Sequence, residues 1–259
     1  MNGEDFYITL PSNSSKSFFS DNTISNYRTK LPRPIRLSAP YEVALCEVHF
    51  PTSWSQIRES DCVIWERYTD STGTVRDTKI SIPAGRYPTL EALTAQISAN
   101  FRTNTAGGLV DARKHVLSYD PVTNRVKVFV ARPTQLKFKG RLAQILGFPK
   151  DVFVSIERVT YAPRQADIMA GLYSLFVYTD IIQHQAVGHS NVQLLRLIHI
   201  DDTDKKFITT VYDRPQYLRV AKGHFDTIEI ALKTDQNEYF DFAYGKVIIV
   251  LHFRPIKYN

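Results

Sequence analysis

The chain has 259 residues, 43% of them hydrophobic and 22% charged, with 11 glycines and 13 prolines, which excludes a disordered or low-complexity polypeptide. A chain of this length forms one or two domains and can bury ~70–75% of its unfolded surface without covalent staples. The formal charge of +6 and the pI of 9.2 permit attraction to nucleic acid or an anionic surface but do not require it.

Apolar residues recur mostly at period two, the pattern of sheets with one buried face. Strands are predicted at Phe6–Leu10, Ile24–Leu31 and Val43–Phe50, the last bracketed by Pro40 and Pro51, which cannot continue a central ladder. Between the first two lies the serine-rich loop Ser12–Ser20 with the aromatic pair Phe18 and Phe19, which needs burial somewhere. From about Ser55 to Ile168 the texture changes. Strand-like Val63–Tyr68 and Lys79–Ile82 flank the turn Asp70-Ser71-Thr72-Gly73. Leu90, Leu93, Ile97 and Phe101 then mark an amphipathic helix, with Glu91 at its positive end and a Gly107-Gly108 stop. A hairpin follows, His115–Tyr119 and Arg125–Val130. After it comes a short helix, Arg141–Leu146, closed by Gly147.

The C-terminal third returns to strands, at Leu172–Ile182, Val192–Ile200, Phe207–Val220, Phe225–Lys233 and Lys246–Phe253. In Phe225–Lys233, Ile228, Ile230 and Leu232 face one way while Thr227, Glu229 and Lys233 face the other. The last strand is apolar on both faces and is expected to be covered on both sides. The expected fold is mainly β: a β-sandwich domain formed by 1–54 and 169–259, split by an α+β insertion domain at 55–168.

Signatures of catalysis are missing. The sequence has no GxxxxGK, GxGxxG, GxSxG or HExxH motif. Cys46 and Cys62 have no CxxC partner, which argues against a zinc site and a cystine-dense secreted scaffold. His184 and His189 flank Gly188, but no third or fourth metal ligand can be named, and Asp201, Asp202 and Asp204 lack the glycine and distal glutamate of a calcium loop. His49, His199 and His252 read as ordinary sheet histidines. No catalytic residue, cofactor or metal is expected. The acidic start, with Asn2 where myristoylation needs glycine, predicts synthesis and retention inside a cell, or inside something assembled there. The longest apolar run, Val247–Leu251, falls far below the ~20 residues of a membrane span.

One charge asymmetry stands out. Pro121–Lys150 has no acidic residue but carries Arg125, Lys127, Arg132, Lys137, Lys139, Arg141 and Lys150. Arg125, Lys127, Lys137, Lys139 and Arg141 are therefore candidates for contact with nucleic acid or a partner, set against the plainer reading of a solvated basic face without an interleaved aromatic ladder.

Several segments, in order, resemble a known family. They are Phe6-Tyr7-Ile8-Thr9-Leu10-Pro11-Ser12, Asn26-Tyr27-Arg28-Thr29-Lys30-Leu31-Pro32, Tyr41-Glu42-Val43-Ala44-Leu45, Gly85-Arg86-Tyr87 and Leu142-Ala143-Gln144-Ile145-Leu146-Gly147-Phe148. Further along come Val177-Tyr178-Thr179-Asp180-Ile181-Ile182, Leu194-Leu195-Arg196, Phe225-Asp226-Thr227-Ile228-Glu229-Ile230 and Leu251-His252-Phe253-Arg254. Taken together, the sequence resembles the penton, or minor capsid, proteins of Polinton (Maverick) elements, adintoviruses and virophages. That resemblance implies a single jelly roll of eight antiparallel strands, and a homopentamer at the icosahedral vertices of a virion assembled inside the host cell. It also implies a neighbouring major capsid protein as partner, nonspecific contact with packaged DNA, and Phe18 and Phe19 as a candidate inter-subunit loop. The alternative is a jelly-roll binding module recognising a glycan or a cell-surface ligand.

Overall fold

The computed structural model describes residues 4–70, 72–103, 115–130, 133–200 and 205–256. Ser71, the Gly107-Gly108 pair, Arg132 and Asp201-Asp202-Thr203-Asp204 lie outside them. In chain order, β1 (Phe6–Pro11), β2 (Asn26–Arg36) and β3 (Tyr41–Pro51) come first. Then follow β4 (Val63–Thr69), β5 (Val75–Ser81), α1 (Leu90–Thr103), β6 (His115–Asp120), β7 (Arg125–Val130), β8 (Thr134–Phe138), α2 (Gly140–Leu146), β9 (Phe153–Ile156) and β10 (Val159–Tyr161). The rest are β11 (Ser174–Thr179), β12 (Gln185–Val187), β13 (Ser190–Val192), β14 (Leu194–His199), β15 (Phe207–Val211), β16 (Leu218–Arg219), β17 (His224–Lys233) and β18 (Ile248–Pro255). The chain divides into two compact units, Met1–Trp54 with Leu172–Asn259, and Ser55–Gly171. No helix among the described residues is long and apolar enough to cross a membrane.

The first unit is a β-sandwich. One sheet runs β1-β18-β3-β15, with β16 also paired to β3, and the other runs β14-β11-β17-β2. Side chains fix how they face each other. The Tyr27 hydroxyl on β2 donates to the Leu10 carbonyl on β1 at 3.0 Å, and Phe225 on β17 stacks on Phe253 of β18 with centroids 6.0 Å apart. The Arg196 guanidinium of β14 lies 3.6 Å from the centre of the Tyr212 ring that follows β15. These contacts set β1 against β2, β18 against β17 and β15 against β14. Val247, Ile249, Leu251 and Phe253 are fully buried between the sheets, as period two requires. On the outer face of β18 His252 is covered as well, stacked on Tyr7 and hydrogen-bonded through Nδ1 to the Tyr217 hydroxyl at 2.6 Å.

The strand expected at Val192–Ile200 is divided between the end of β13 at Val192 and β14, with an irregular register opposite Val177 and Tyr178. Two further departures from the sequence reading have identifiable reasons. β2 does not stop before Pro32. Its ladder with β17 lapses between Lys30 and Ile35, where the prolines sit, and resumes at Ile35 and Arg36. An edge strand tolerates this because the missing N–H groups have no second neighbour to bond. The long strand expected at Phe207–Val220 is two pieces, β15 and β16, separated by Asp213-Arg214-Pro215. A bulge at Cys46 leaves Val250 opposite Glu47 and Leu251 opposite Leu45, so Val43 and Leu45 before it and Val48 and Phe50 after it serve one core.

The second unit packs α1 and α2 with two antiparallel sheets, β5-β4-β8-β9 and β10-β7-β6. Thr89 caps α1 by accepting the Ala92 N–H at 3.2 Å. The helix buries Leu90, Leu93, Ile97 and Phe101 in the shared core, and the Ser98 hydroxyl accepts the Leu117 N–H of β6 at 2.8 Å. Gly147 ends α2 in the left-handed region, at φ 77°, with its N–H on the helix carbonyls. Asp70 shapes the β4–β5 turn, accepting the Thr72 and Thr74 N–H groups at 2.9 and 3.0 Å.

Candidate functional site

Among the described residues no group of three or more His, Cys, Asp and Glu side chains could hold a metal ion. One buried polar cluster is His115 with Glu66, whose Nε2 and Oε1 lie 2.7 Å apart beside the Thr134 hydroxyl, itself donating to the Arg67 carbonyl at 3.0 Å. Phe101 meets the His115 ring edge-on at 5.0 Å. This pair links β6 to β4 and hence the two sheets of the second unit, the position of a structural rivet. His49 is held by Glu47 at 2.7 Å and by the Thr209 hydroxyl at 2.9 Å, which ties β15 to β3.

The basic residues that are neighbours in sequence separate in space. Arg125 and Lys127 project from β7 while Val126, Val128 and Val130 on the other face are buried. The Lys127 ammonium lies 5.8 Å from the centre of the Tyr161 ring on β10. Lys137 belongs to the other sheet of that unit, where its ammonium lies 4.6 Å from the Phe153 ring centre and 5.6 Å from that of Trp65. Arg67 covers Phe153 from β4 at 4.3 Å and pairs with Asp77 at 2.8 Å. An aromatic–cation strip therefore crosses β4, β8 and β9, although no such interleaving exists along the sequence. Half-buried Lys139 is the extended N-cap residue of α2. The Arg141 guanidinium donates to the Met169 carbonyl at 2.8 Å.

The sandwich unit leaves two flanks open. On one, β1 and β2 end their sheets, and the loop between them folds back: the Ser15 hydroxyl accepts the Lys30 N–H at 3.0 Å, and the Asn22 amide brackets Arg28, donating to its carbonyl at 2.8 Å. Phe19 is half-buried under the Arg28 guanidinium, 4.4 Å from its ring centre, whereas Phe18 is 68% exposed. The aromatic pair thus splits into one anchored ring and one presented ring. Tyr7 adds an exposed ring to this flank. On the opposite flank β14 and β15 end the sheets, with Leu197, Phe207 and Val211 exposed.

No protein-family model matches the sequence, and no curated protein does. Among solved structures, the crystal structure of the mavirus penton protein aligns with 98% of this chain and 100% of its own, at a TM-score of 0.52 and 9% sequence identity. The fold of this chain resembles that of the mavirus penton protein. The likeness to the mavirus protein is one of backbone arrangement.

Proposed function

We propose that this protein is a non-enzymatic capsid component, a penton-type subunit whose sandwich is a single eight-stranded jelly roll and whose five copies close a vertex of an icosahedral virion. The observation that carries this reading is the nested pairing of the long strands of the first unit. β1 pairs with β18, β2 with β17, β3 with β15 and β11 with β14, all antiparallel, which is the order left when a folded-over ribbon of four strand pairs wraps into two sheets. The likeness to the mavirus penton protein supports the same reading.

A ring needs a heterologous interface, in which one flank of a subunit meets the opposite flank of the next. The β14–β15 flank offers Leu197, Phe207 and Val211, and the β1–β2 flank offers Tyr7 and Phe18. Apolar side chains beside unpaired edge strands are the features that natural monomers suppress. In this reading the outer surfaces contact the neighbouring major capsid protein, and Arg125 and Lys127 make nonspecific, salt-sensitive contact with packaged DNA. Sedimentation velocity on the wild type and on Phe207→Asp and Val211→Asp variants tests it. The wild type is expected to form a ring that both variants abolish while keeping their circular dichroism, and a wild type indistinguishable from the variants overturns the interface.

A further inference from the structure

On the outer face of the β14-β11-β17-β2 sheet, β11 and β17, the β12–β13 hairpin and the turn after β17 enclose a cleft of about 500 Å³. Its cause is local. Ala231 lies opposite Tyr178 in the β11–β17 ladder, and the short side chain leaves a depression between Glu229 and Lys233 on the same face. The walls are braced independently of any ligand. The Gln193 amide donates to the Ile182 carbonyl at 2.6 Å, the Asn237 N–H donates to the Thr234 carbonyl at 3.1 Å, and Lys233 bridges to Tyr239 through the backbone. The volume falls in the ~300–1,000 Å³ range of small-molecule sites.

The lining mixes aromatic rings with polar groups, His184 among them. The Lys233 ammonium lies between two aromatic rings, 5.6 Å from the centre of Tyr178 and 5.2 Å from that of Tyr239, and donates to the Asn237 Oδ1 at 2.9 Å. Glu229 supplies a carboxylate and Asn191 a second amide. The neighbouring Asp180 is already committed, accepting the Glu229 N–H at 2.8 Å and the Lys222 ammonium at 2.5 Å. One cation and one carboxylate do not make an anion trap, and two phenol rings among amides do not make an oily pocket. The arrangement combines flat apolar ring faces with donors and acceptors spaced around them.

From this we infer that the cleft binds the terminal hexopyranose of a glycan, with the apolar C–H face of the sugar on Tyr239 and adjacent hydroxyls shared between Glu229, Lys233 and Asn237. The inference does not depend on ring assembly, and either can fail without the other.

Saturation-transfer NMR tests it on the full chain with the methyl pyranosides of glucose, galactose, mannose and N-acetylglucosamine. At least one is expected to receive saturation, with a dissociation constant on the order of 1 mM. Tyr239→Ala and Glu229→Gln should each weaken that binding by roughly tenfold, while Tyr239→Phe, which keeps the ring, should stay within about threefold of the wild type. Tyr244→Ala, an exposed tyrosine outside the cleft, should leave it unchanged. Saturation of none of the four sugars, or binding that survives both Tyr239→Ala and Glu229→Gln, overturns the proposal. Presenting the bound sugar on a carrier protein and as a glycolipid in phosphatidylcholine vesicles distinguishes the two sources of such a group, and binding to either one supports the site.

Discussion

Replacing Phe253 with alanine removes a ring that both sheets of the sandwich use. Phe253 is fully buried, stacked on Phe6 with centroids 4.8 Å apart within its own sheet, and on Phe225 at 6.0 Å from the facing sheet. Truncating a core phenylalanine costs about 3–5 kcal/mol, the spread reflecting how far the walls collapse into the void. Here one wall can yield and one cannot: Phe6 sits on an edge strand, while Phe225 is held beside a bulge in the β2–β17 ladder. We therefore expect a loss of about 4 kcal/mol. At a urea slope of about 2 kcal/mol per molar, the midpoint should fall by roughly 2 M. Trp54 is the reporter, buried in the same unit and edge-on to Phe240 at 5.6 Å, and a Trp65→Phe background removes the other indole. Phe253→Leu, which refills most of the space, should fall between the wild type and alanine. A drop in midpoint below about 0.5 M for alanine, worth roughly 1 kcal/mol, would show that the ring does not close the space between the sheets.

Other expectations are more local. Tyr27→Phe should cost only about 1 kcal/mol, because Leu10 keeps Ile249 as its ladder neighbour after the phenol is lost, and an unchanged urea midpoint would contradict the cross-sheet hydrogen bond. Burial raises the Tyr27 pKa well above its ordinary value of about 10, so its contribution is intact below that pH and is lost as pH rises further. The wild type should lose stability more steeply than Tyr27→Phe in urea titrations between pH ~10 and ~11. Gly147→Ala and Gly171→Ala both place a side chain at a positive φ, but only the first puts a Cβ 2.3 Å from the Arg164 carbonyl oxygen, the second meeting nothing within 4 Å. Hydrogen exchange of the 142–148 amides should accelerate strongly in the first and little in the second, and equal effects would refute the close approach. The Thr72 hydroxyl, the Arg76 guanidinium and the Thr74 N–H hold the Asp70 carboxyl well below the usual carboxylate range. Its support of the turn is complete above pH ~3.9 and is lost only as pH falls through the lowered value, so an NMR titration midpoint near ~3.9 would contradict the turn geometry.

Where one periodicity decided an element, the sequence revealed it. The β17 alternation survives as buried Phe225, Ile228, Ile230 and Leu232, its phase shifted once by a bulge, and the helix stripe is buried as Leu90, Leu93, Ile97 and Phe101. β8 was equally legible, since Thr134, Leu136 and Phe138 alternate with Gln135 and Lys137, but a reading by charge masks a period of two. The hairpin β12–β13 was not legible, because three residues on either side of Gly188 and His189 are too few to show a period. The aromatic–cation strip and the cleft were also out of reach. Trp65, Lys137 and Phe153 come from three strands, and Tyr178 and Lys233 from two, whose adjacency is set by the tertiary ladder. For the same reason the basic stretch looked continuous in sequence yet divides between two sheets.

Native mass spectrometry of the purified full chain at high concentration, with negative-stain imaging of the same sample, decides whether five copies close into a ring. A penton-type subunit should give a species of five times the 29.7 kDa chain mass and ring-shaped particles with fivefold symmetry. A chain that stays monomeric at every concentration, with no rings in the images, would contradict it.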